Sequence, residues 1–431
     1  MASLEDQVDG RLRSQSRFEA LMPRCIGTIG GTTTAGDIAV ALSYLASPQR
    51  VIHGPTVAEY EASFARTVGV DHAVSFWAGR LGLYAILRAL GVGPGDEVLL
   101  QVPTHIVVAN AIRYVGARPV YVDCDLDTYN IDLEQAERRI TPKTRVLILQ
   151  HTFGNPVDID RALALASEKG IEVIEDCVHA LGATYRGRPV GSFARAAFFS
   201  TEETKTISST MGGVAVTKDP ELAASLRAFQ SRCSPPDAGQ TIRYLVKFVM
   251  YHVLTEPHLH RLTRALYELA GKRHPLPGAT SNQELVGLQP ANYNQLLSNA
   301  QAALALRQLR RLGSNVEHRR VVAAAYERWL KEHGFRVPSV AAGAEPAFVR
   351  YPVWANDRSA LIRAAYPGIL VGNWFTSVLE EAISPDHGGY EKGSCPRAEA
   401  AAEHLVNLPT HPRVTSRDVR AVEAALASVG Y

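Results

Sequence analysis

A single lysine lies in a short polar loop between two apolar segments. The stretch FFSTEETKTISSTMGGVAV (198–216) begins apolar, carries Glu202 and Glu203, and then presents Lys205 before small hydroxyl residues and two glycines. This pattern predicts a strand, a tight loop and a second strand. A lysine in such a loop is often only a solvated side chain, but lysine is also the residue that forms a Schiff base with a carbonyl group.

Other residues supply what a Schiff-base cofactor such as pyridoxal phosphate requires. Asp176 follows the apolar run IEVIE (171–175), and its carboxylate is suited to hold a pyridine nitrogen in the protonated form. Ser200 precedes Lys205 and offers a hydroxyl to a phosphate. The segment WAGRLGL (77–83) starts a helix with a glycine, and the amide groups of a helix N-terminus bind anions. The sequence therefore predicts a site for pyridoxal phosphate.

The segments that must position these residues alternate between strands and helices. We predict helices at 80–91, 107–116 and 160–170, and strands at 93–102, 118–125, 144–151 and 171–177. Such alternation indicates an α/β fold, in which helices cover a mostly parallel central sheet. Sites in these folds gather at the carboxyl ends of the strands. The polar residues predicted at those ends are Thr104, His105, His151, Asp176, His179, Ser200 and Lys205.

Composition excludes several other classes of protein. Lys and Arg number 45 against 43 Asp and Glu, so no large field favours nucleic acid. The five cysteines are scattered without a CxxC pair, which indicates a reducing compartment and no zinc site of the usual spacing. The polar segment 1–15 does not resemble a signal peptide, and no apolar run reaches the roughly 20 residues of a spanning helix. We expect a cytoplasmic protein without membrane contact.

The rest of the chain predicts a second, smaller domain. At 431 residues, two domains are the default expectation. We assign 1–285 to a large cofactor-binding domain, with a helical insertion at about 235–285, and 286–431 to a long connecting helical segment (296–334) and a small α+β domain. His258 and His260 resemble a metal pair, but they lack a third ligand, so we predict no metal.

Several motifs together resemble one family. They are GPGDEV (93–98), NAIRYVGARPVYVDCDLDTYNID (110–132), ITPKTRVLILQHTFGNPVDID (140–160), VIEDCVHALGATYRGRPVGSF (173–193), the Lys205 loop and CPRAEAAAEHLVNLPTHP (395–412). The chain, from about 54 to 412, looks like a DegT/DnrJ/EryC1/StrS aminotransferase. The resemblance implies fold type I, pyridoxal phosphate as cofactor and a homodimer with shared active sites.

The resemblance also implies a role for each matching residue. Lys205 would form the imine and Asp176 would pair with the pyridine nitrogen. His179 would lie near the phenolic oxygen, and His105 would stack on the pyridine ring. Ser200 and the turn Gly79–Arg80 would bind the phosphate, whereas Asn294 would reach the phosphate of the neighbouring subunit. Asn294 also suits an ordinary turn before a helix.

The chain departs from the family pattern at four places. Arg80 replaces a small hydroxyl residue, so its phosphate contact would come from the backbone or the guanidinium. Leu296 stands where an arginine is frequent, and Met211 where an acidic residue is usual. The segment between Gly213 and Asn294 is also longer. Part of it, 241–273, predicts helices that pack on the domain or across a dimer, or that form a mobile cover over an apolar substrate or against a membrane surface.

The implied reaction is transamination in two half-reactions. An amino acid, glutamate or glutamine, gives its amino group to the cofactor, and the keto group of a nucleotide-linked sugar or a related secondary-metabolite ketone then takes it. The first alternative is a dehydratase or isomerase on the same scaffold, in which histidine characteristically replaces the lysine. The second alternative is a regulatory protein that binds the cofactor without catalysis.

Overall fold

A computed structural model describes residues 23–269 and 279–429. Seven strands form the central sheet. They are β1 His72–Phe76, β2 Glu97–Gln101, β3 Arg118–Val122, β4 Thr144–Gln150, β5 Glu172–Asp176, β6 Ala196–Ser200 and β7 Gly213–Thr217. Their order in the sheet is β1-β7-β6-β5-β4-β2-β3. All neighbours from β6 to β3 are parallel, whereas β7 is antiparallel to both β6 and β1. The prediction of a mostly parallel sheet is confirmed.

Helices cover both faces of the sheet, and further helices pack in the C-terminal part. They are α1 Ala35–Leu45, α2 Thr56–Val68, α3 Gly79–Ala89, α4 Ile106–Tyr114, α5 Leu133–Arg139, α6 Ile159–Lys169, α7 Pro220–Gln230, α8 Ala238–Leu254, α9 Pro257–Leu269, α10 Asn282–Leu285, α11 Asn299–Leu309, α12 Leu312–Glu332, α13 Arg358–Ala365, α14 Pro396–His404 and α15 Ser416–Ser428. Five of them, α5, α6, α7, α8 and α13, begin after an aspartate whose carboxylate accepts one or two amide N–H groups of the first turn.

Consecutive side chains of β6 pack into the two different layers of the core. Phe198 packs in the cluster that contains α3 and α4, whereas Phe199 packs against α2 and α11 on the opposite face. Because side chains of a strand alternate between faces, the run AAFF buries both sides of the sheet. The strand ends are also aligned, since Asp176 is in register with Gln150 of β4 and with Phe198 of β6. This alignment brings the residues that follow β4, β5 and β6 to one edge.

The C-terminal part contributes a second, smaller core. Strand Tyr351–Trp354 pairs antiparallel with Leu405–Leu408, and α12, α13 and α15 pack against this pair. The segment predicted as one helical stretch, 296–334, forms two helices, because the chain leaves helical geometry at Arg311, whose φ is −108° and whose guanidinium binds Asp37 of α1. The domain division at residue 285 stays a prediction.

The predicted insertion contains α8 and α9, and its residues 270–278 lie outside the described part of the chain. Helix α8 is anchored by Leu245 and Phe248, which are buried with residues of α1 and α11. Helix α9 instead leaves Leu259, Leu262 and Leu266 largely exposed. Within the described residues, no helix combines the length and the apolar character needed to cross a membrane.

Candidate active site

The Lys205 loop, residues 201–212, connects β6 to β7 at the carboxyl edge of the sheet. Helices from elsewhere in the chain hold it by hydrogen bonds to its backbone. Asn315 of α12 donates to the carbonyl of Thr206 at 2.7 Å, and Gln301 of α11 donates to the carbonyl of Met211 at 2.7 Å. The position of the lysine is therefore fixed by tertiary contacts that local sequence does not reveal.

The insertion helix α8 also binds this loop. Lys247 forms a salt bridge with Glu203 at 2.9 Å, and the hydroxyl of Tyr251 donates to the same carboxylate at 3.2 Å. Burial raises the pKa of Glu203, and the charge of Glu202 adds to this, while Lys247 opposes it. Helix α8 thus contacts the residues that precede Lys205.

Lys205 itself is in a weakly solvated environment. Burial lowers its pKa to about 8, and the charge of Arg350 acts in the same direction, whereas Glu202 and Asp176 oppose the change. A lysine with such a pKa has a substantial fraction of neutral amine near pH 8, and the neutral amine is the nucleophile that attacks a carbonyl. The environment of Lys205 therefore suits Schiff-base chemistry.

Asp176 ends β5 and is 1% exposed. Its Oδ1 accepts the backbone N–H of Val178 at 3.1 Å. Burial raises the pKa of this carboxyl to about 6, although Lys205 and His151 act against the change. A cation beside the carboxylate would lower the pKa again, which is what a protonated pyridine nitrogen would supply.

His179 and Trp374 form an aromatic wall next to the lysine. Their rings stack with centroids 5.1 Å apart, and Lys205 Nζ lies 4.6 Å from the centroid of the Trp374 ring. Among the described residues, the buried Nδ1 of His179 has no hydrogen-bond partner. Burial lowers the pKa of this imidazole, and Lys205 and Arg350 contribute to the change. A neutral histidine with a free nitrogen is suited to bind an oxygen of a ligand.

His105 reaches the same region from the start of α4. Its Nδ1 accepts the N–H of Val107 at 3.3 Å, and its Nε2 lies 3.3 Å from the carboxylate of Glu381. The charge of His105 acts on His179, and that of Glu381 acts on Lys205. Four predicted residues, His105, Asp176, His179 and Lys205, are thus electrostatically coupled in one site.

A cradle for an anion lies beside them at the start of α3. No side chain caps this helix, so amide groups of its first turn remain available. A Cβ on Gly79 would come within 2.9 Å of the Phe199 carbonyl and 3.1 Å of Ser200 Cβ, and a Cβ on Gly213 would overlap the backbone of Gly79. Glycine at both positions lets β6 and β7 approach the helix end, where Ser200 and the free amides meet.

Arg80 and Asn294 were also predicted to bind the phosphate, but their side chains are placed differently from that of Ser200. The guanidinium of Arg80 is buried and donates to Glu284 at 2.8 Å and to the carbonyl of Ala279 at 2.7 Å. Its backbone amide belongs to the first turn of α3. Asn294 is exposed, and its carbonyl accepts the N–H of Ser234 at 2.9 Å.

His151 instead belongs to a buried cluster that holds a turn. It is fully buried, and its Nε2 lies 3.3 Å from Glu175, whose carboxylate also accepts the amides of the turn 191–194. Ligand atoms of His151, Glu175 and Cys177 lie within 4.8 Å of one another. Since the Glu175 carboxylate already accepts these hydrogen bonds, we assign the cluster to holding the turn.

Sequence reasoning missed three residues of the site, Arg350, Trp374 and Glu381. All three come from the C-terminal part, more than 140 residues beyond Lys205 in the chain. Trp374 is held there by Asn407, whose side chain bonds both the amide and the carbonyl of the tryptophan. Neither Arg350 nor Trp374 lies in a helix or strand, and none of the motifs found in the sequence contains them, so no local signal marked them.

These residues fit pyridoxal phosphate. The free Nδ1 of His179, the buried carboxyl of Asp176 and the uncapped start of α3 each offer what a different part of the cofactor needs, and Lys205 lies with them. Fold and site together define a pyridoxal-phosphate-dependent aminotransferase of fold type I.

The chain belongs to the DegT/DnrJ/EryC1/StrS aminotransferase family, whose family model matches residues 34–427. It is 32% identical to GDP-perosamine synthase of Caulobacter vibrioides, with 87% of this chain and 90% of that protein covered. It is 30% identical to UDP-N-acetyl-3-dehydro-alpha-D-glucosamine 3-aminotransferase of Acidithiobacillus ferrooxidans, over 85% of this chain and 86% of that protein. The crystal structure of S. venezuelae DesV in complex with a ketimine intermediate is similar at a TM-score of 0.72, with 29% identity, covering 92% of this chain and 94% of that one.

Proposed function

We propose that this aminotransferase moves an amino group from glutamate or glutamine to the keto group of a nucleotide-linked sugar or a related secondary-metabolite ketone. The relatives named for GDP- and UDP-linked sugars support the acceptor class. The observation that carries the proposal is the placement of Lys205, with its lowered pKa, in the same pocket as buried Asp176 and beside the uncapped start of α3. We further propose that the protein works in the cytoplasm as a homodimer.

Each residue has a distinct role in this proposal. Bound at Lys205, pyridoxal phosphate supplies an electron sink for the electron pair of the donor's Cα–H bond. Asp176 would keep the pyridine nitrogen protonated, and His179 Nδ1 would bind the phenolic oxygen. Ser200 and the backbone of Gly79–Arg80 would bind the phosphate, and His105 would contact the ring.

With pyridoxal phosphate bound, Lys205 would have a second role. Its amine would act as the general base that takes and moves the proton of the donor's Cα. The lowered pKa favours this role, because a general base works best when its pKa is near the pH of the reaction. In this proposal, the Lys205 side chain both binds the cofactor and transfers the proton.

The test is a donor and acceptor panel with product analysis by mass spectrometry. The protein is incubated with glutamate or glutamine and with GDP- and UDP-linked 3-keto and 4-keto sugars, and an aminated sugar is the expected product. Lys205→Ala should lose at least about 1,000-fold of turnover, because covalent binding and proton transfer need the same amine. The matched control is Lys218→Ala, since Lys218 lies beyond β7 and bonds the carbonyl of Ser192.

The same panel separates the alternatives. A dehydratase or isomerase would yield a deoxygenated or rearranged sugar without nitrogen, and a purely regulatory protein would yield no product with any pair. Either result would overturn the proposal. By the family resemblance, dehydratases on this scaffold characteristically have histidine at the position of Lys205. This chain has lysine there, which favours transamination.

A further inference from the structure

Helix α8 of the insertion divides its side chains among three faces. Leu245 and Phe248 form the first face, which is buried with residues of α1 and α11. The second face is exposed and consists of Val246, Met250 and Val253. Lys247 and Tyr251, four positions apart and therefore neighbours on the helix surface, form the third. The first face fixes the helix in the core, and the third face contacts the Lys205 loop.

Helix α8 contacts this loop at two points. Lys247 Nζ lies 2.9 Å from the carboxylate of Glu203, and the backbone carbonyl of Tyr244 accepts the hydroxyl of Thr210 at 3.2 Å. Glu203 precedes Lys205 in the chain and Thr210 follows it. One helix of the insertion thus holds the loop on both sides of the lysine.

The two halves of the loop are held by different helices. Residues 206–211 are bound by α11 and α12, since Gln308 bonds the backbone of Ser208, in addition to the contacts of Gln301 and Asn315. Among the described residues, the hydrogen bonds that a helix makes to residues 202–204 all come from α8. The half that leads directly into Lys205 therefore depends on the insertion.

This first half is a tight turn that ends at the lysine. The backbone N–H of Lys205 donates to the carbonyl of Glu202 at 3.0 Å, and the carboxylate of Glu202 accepts the N–H of Thr204 at 3.0 Å. Glu203 is the central residue that reaches out of the turn to α8. Because the turn is closed by its own hydrogen bonds, a displacement of Glu203 also displaces the backbone of Lys205.

The contact between Glu203 and Lys247 is a buried ion pair. Their side chains are 9% and 12% exposed. Oε1 of Glu203 accepts the hydrogen bonds of Lys247 and Tyr251, whereas its Oε2 is buried without a partner among the described residues. Removal of one member of such a pair leaves an uncompensated buried charge. Without Lys247 the turn would rearrange to bring the carboxylate of Glu203 to water.

We propose that Lys247 is a positioning residue of the aminotransferase, and that it fixes Lys205 through its ion pair with Glu203. The inference rests on the proposed transamination and deepens it, because it gives the insertion a part in the reaction of Lys205. Helix α8 is then a fixed support of the loop and not a mobile cover. Displacement of a reacting group by about 1 Å can cost about 100-fold in rate.

The first measurement is hydrogen exchange of the cofactor-free protein, followed by mass spectrometry of its peptides. Lys247→Met should raise the exchange rate of residues 200–205 by about 10-fold or more, while residues 206–212, held by α11 and α12, should change less than about 3-fold. Arg243→Met is the matched control, because Arg243 is an exposed cation one turn earlier on the same helix. Unchanged exchange at 200–205, or an equal rise in both peptides, would overturn the inference.

The second measurement is single turnover of the holoenzyme with glutamate, followed by the absorption of the cofactor. Lys247→Met should lower the maximal rate by about 10-fold or more and change the Kd for glutamate by less than about 3-fold, because the amine of Lys205 is displaced and no substrate contact is lost. Lys247→Arg keeps the charge and should restore most of the rate. A weaker Kd with an unchanged rate would assign Lys247 to substrate binding, and equal loss in Lys247→Arg would exclude the ion pair; each overturns the inference.

A double-mutant cycle identifies the partner. Glu203→Gln removes the charge of the carboxylate, and it also serves where Lys247→Met does not accumulate as folded protein. If the two residues act as a pair, the double variant should be no slower than the slower single variant. Losses that multiply would show that Lys247 acts without Glu203 and would overturn the inference. A wild type that turns over no donor contradicts the proposed function, whereas the hydrogen exchange still decides whether α8 fixes the turn.

Discussion

At the scale of single residues, burial sets the two pKa values on which the site depends. Burial raises the pKa of Asp176 to about 6 and lowers the pKa of Lys205 to about 8. Both changes favour the neutral form, because neither side chain is well solvated. A protonated pyridine nitrogen next to Asp176 favours the carboxylate again, so cofactor binding and the ionisation of Asp176 are linked.

This linkage predicts that Asp176→Asn lowers turnover and raises the stability of the cofactor-free protein at pH 8. A folded pKa above the ordinary value of 3.8 means that Asp176 favours folding at low pH, and that this contribution is lost as the pH rises through about 6. At pH 8 the cofactor-free Asp176→Asn protein should therefore be more stable than the wild type, by up to roughly 3 kcal/mol. Its turnover should fall by about 100-fold or more, because the amide cannot hold the pyridine nitrogen protonated. Urea unfolding between pH 5 and pH 8, with steady-state rates, measures both.

Asp127→Asn provides the control for Asp176→Asn. Asp127 is an exposed aspartate that pairs with Arg336 on the surface, so neither stability at pH 8 nor turnover should change appreciably. Wild-type turnover in Asp176→Asn would mean that another group holds the nitrogen. A stability difference that does not shrink between pH 8 and pH 5 would mean that the buried carboxyl is not the titrating group.

The sequence predicted the site residues that lie at the ends of strands. It missed those that come from distant parts of the chain. Asp176 and Ser200 follow apolar runs, so the period of the strand and the edge rule for parallel sheets placed them correctly. Arg350 and Trp374 reach the site only because the C-terminal part packs against the large one, and such packing leaves no local pattern. The sequence also left open what the Arg80 guanidinium contacts, because its partner Glu284 lies 204 residues further along the chain.

At the scale of elements, the junction of α3 with β6 and β7 makes the anion cradle. Two glycines allow it, because Gly213 lies against the backbone of Gly79 at the first turn of the helix. The sequence predicted the helix start and the neighbouring strands, but not that the first glycine of β7 and the first glycine of α3 face each other. The helix break at Arg311 was missed for a similar reason, since the ion pair that anchors it joins α12 to α1.

We predict that Gly213→Ala weakens cofactor binding as well as the fold. The new methyl group must displace either β7 or the first turn of α3, so the amides no longer converge on one anion. The expected loss of stability is about 1–3 kcal/mol, as for other overpacked sites, and the Kd for pyridoxal phosphate should rise by at least about 10-fold. Calorimetric titration of the cofactor-free protein, with unfolding curves, gives both values.

The control for this prediction is another glycine-to-alanine change. Gly313 lies in the first turn of α12, and a Cβ there meets nothing within 4 Å. Gly313→Ala should leave cofactor affinity unchanged and should keep or raise stability, because alanine favours the helix by up to about 1 kcal/mol. Unchanged affinity in Gly213→Ala, with the expected loss of stability, would place the phosphate elsewhere.

At the scale of the whole molecule, one predicted site residue is exposed on the surface of the chain. Asn294 is exposed, although its neighbours Tyr293 and Gln295 contact Trp77, just before α3. An exposed amide next to a phosphate cradle has no evident role within one subunit. In a homodimer with shared sites, as we propose, it is free to reach the cradle of the partner.

This arrangement makes a prediction about mixed dimers. Lys205→Ala and Asn294→Asp proteins should each have little activity, the second because its carboxylate repels the phosphate. When differently tagged subunits are refolded together and heterodimers are purified, one of the two sites combines Lys205 from one subunit with Asn294 from the other. Such heterodimers should recover up to about half of the wild-type turnover per dimer, because each site works with one residue from each chain.

The outcome depends on which chain supplies each residue, and this makes the experiment decisive. If both residues serve the same subunit, every site of the heterodimer carries one of the two defects, and no activity returns. The control carries both substitutions in one chain and pairs it with the wild type. Shared sites predict that this dimer is nearly inactive, because each site receives one altered residue, whereas separate sites predict that its wild-type chain keeps full activity. Recovery in the first heterodimer together with loss in the second would place Asn294 in the neighbouring site, and the opposite pair of results would confine the site to one chain.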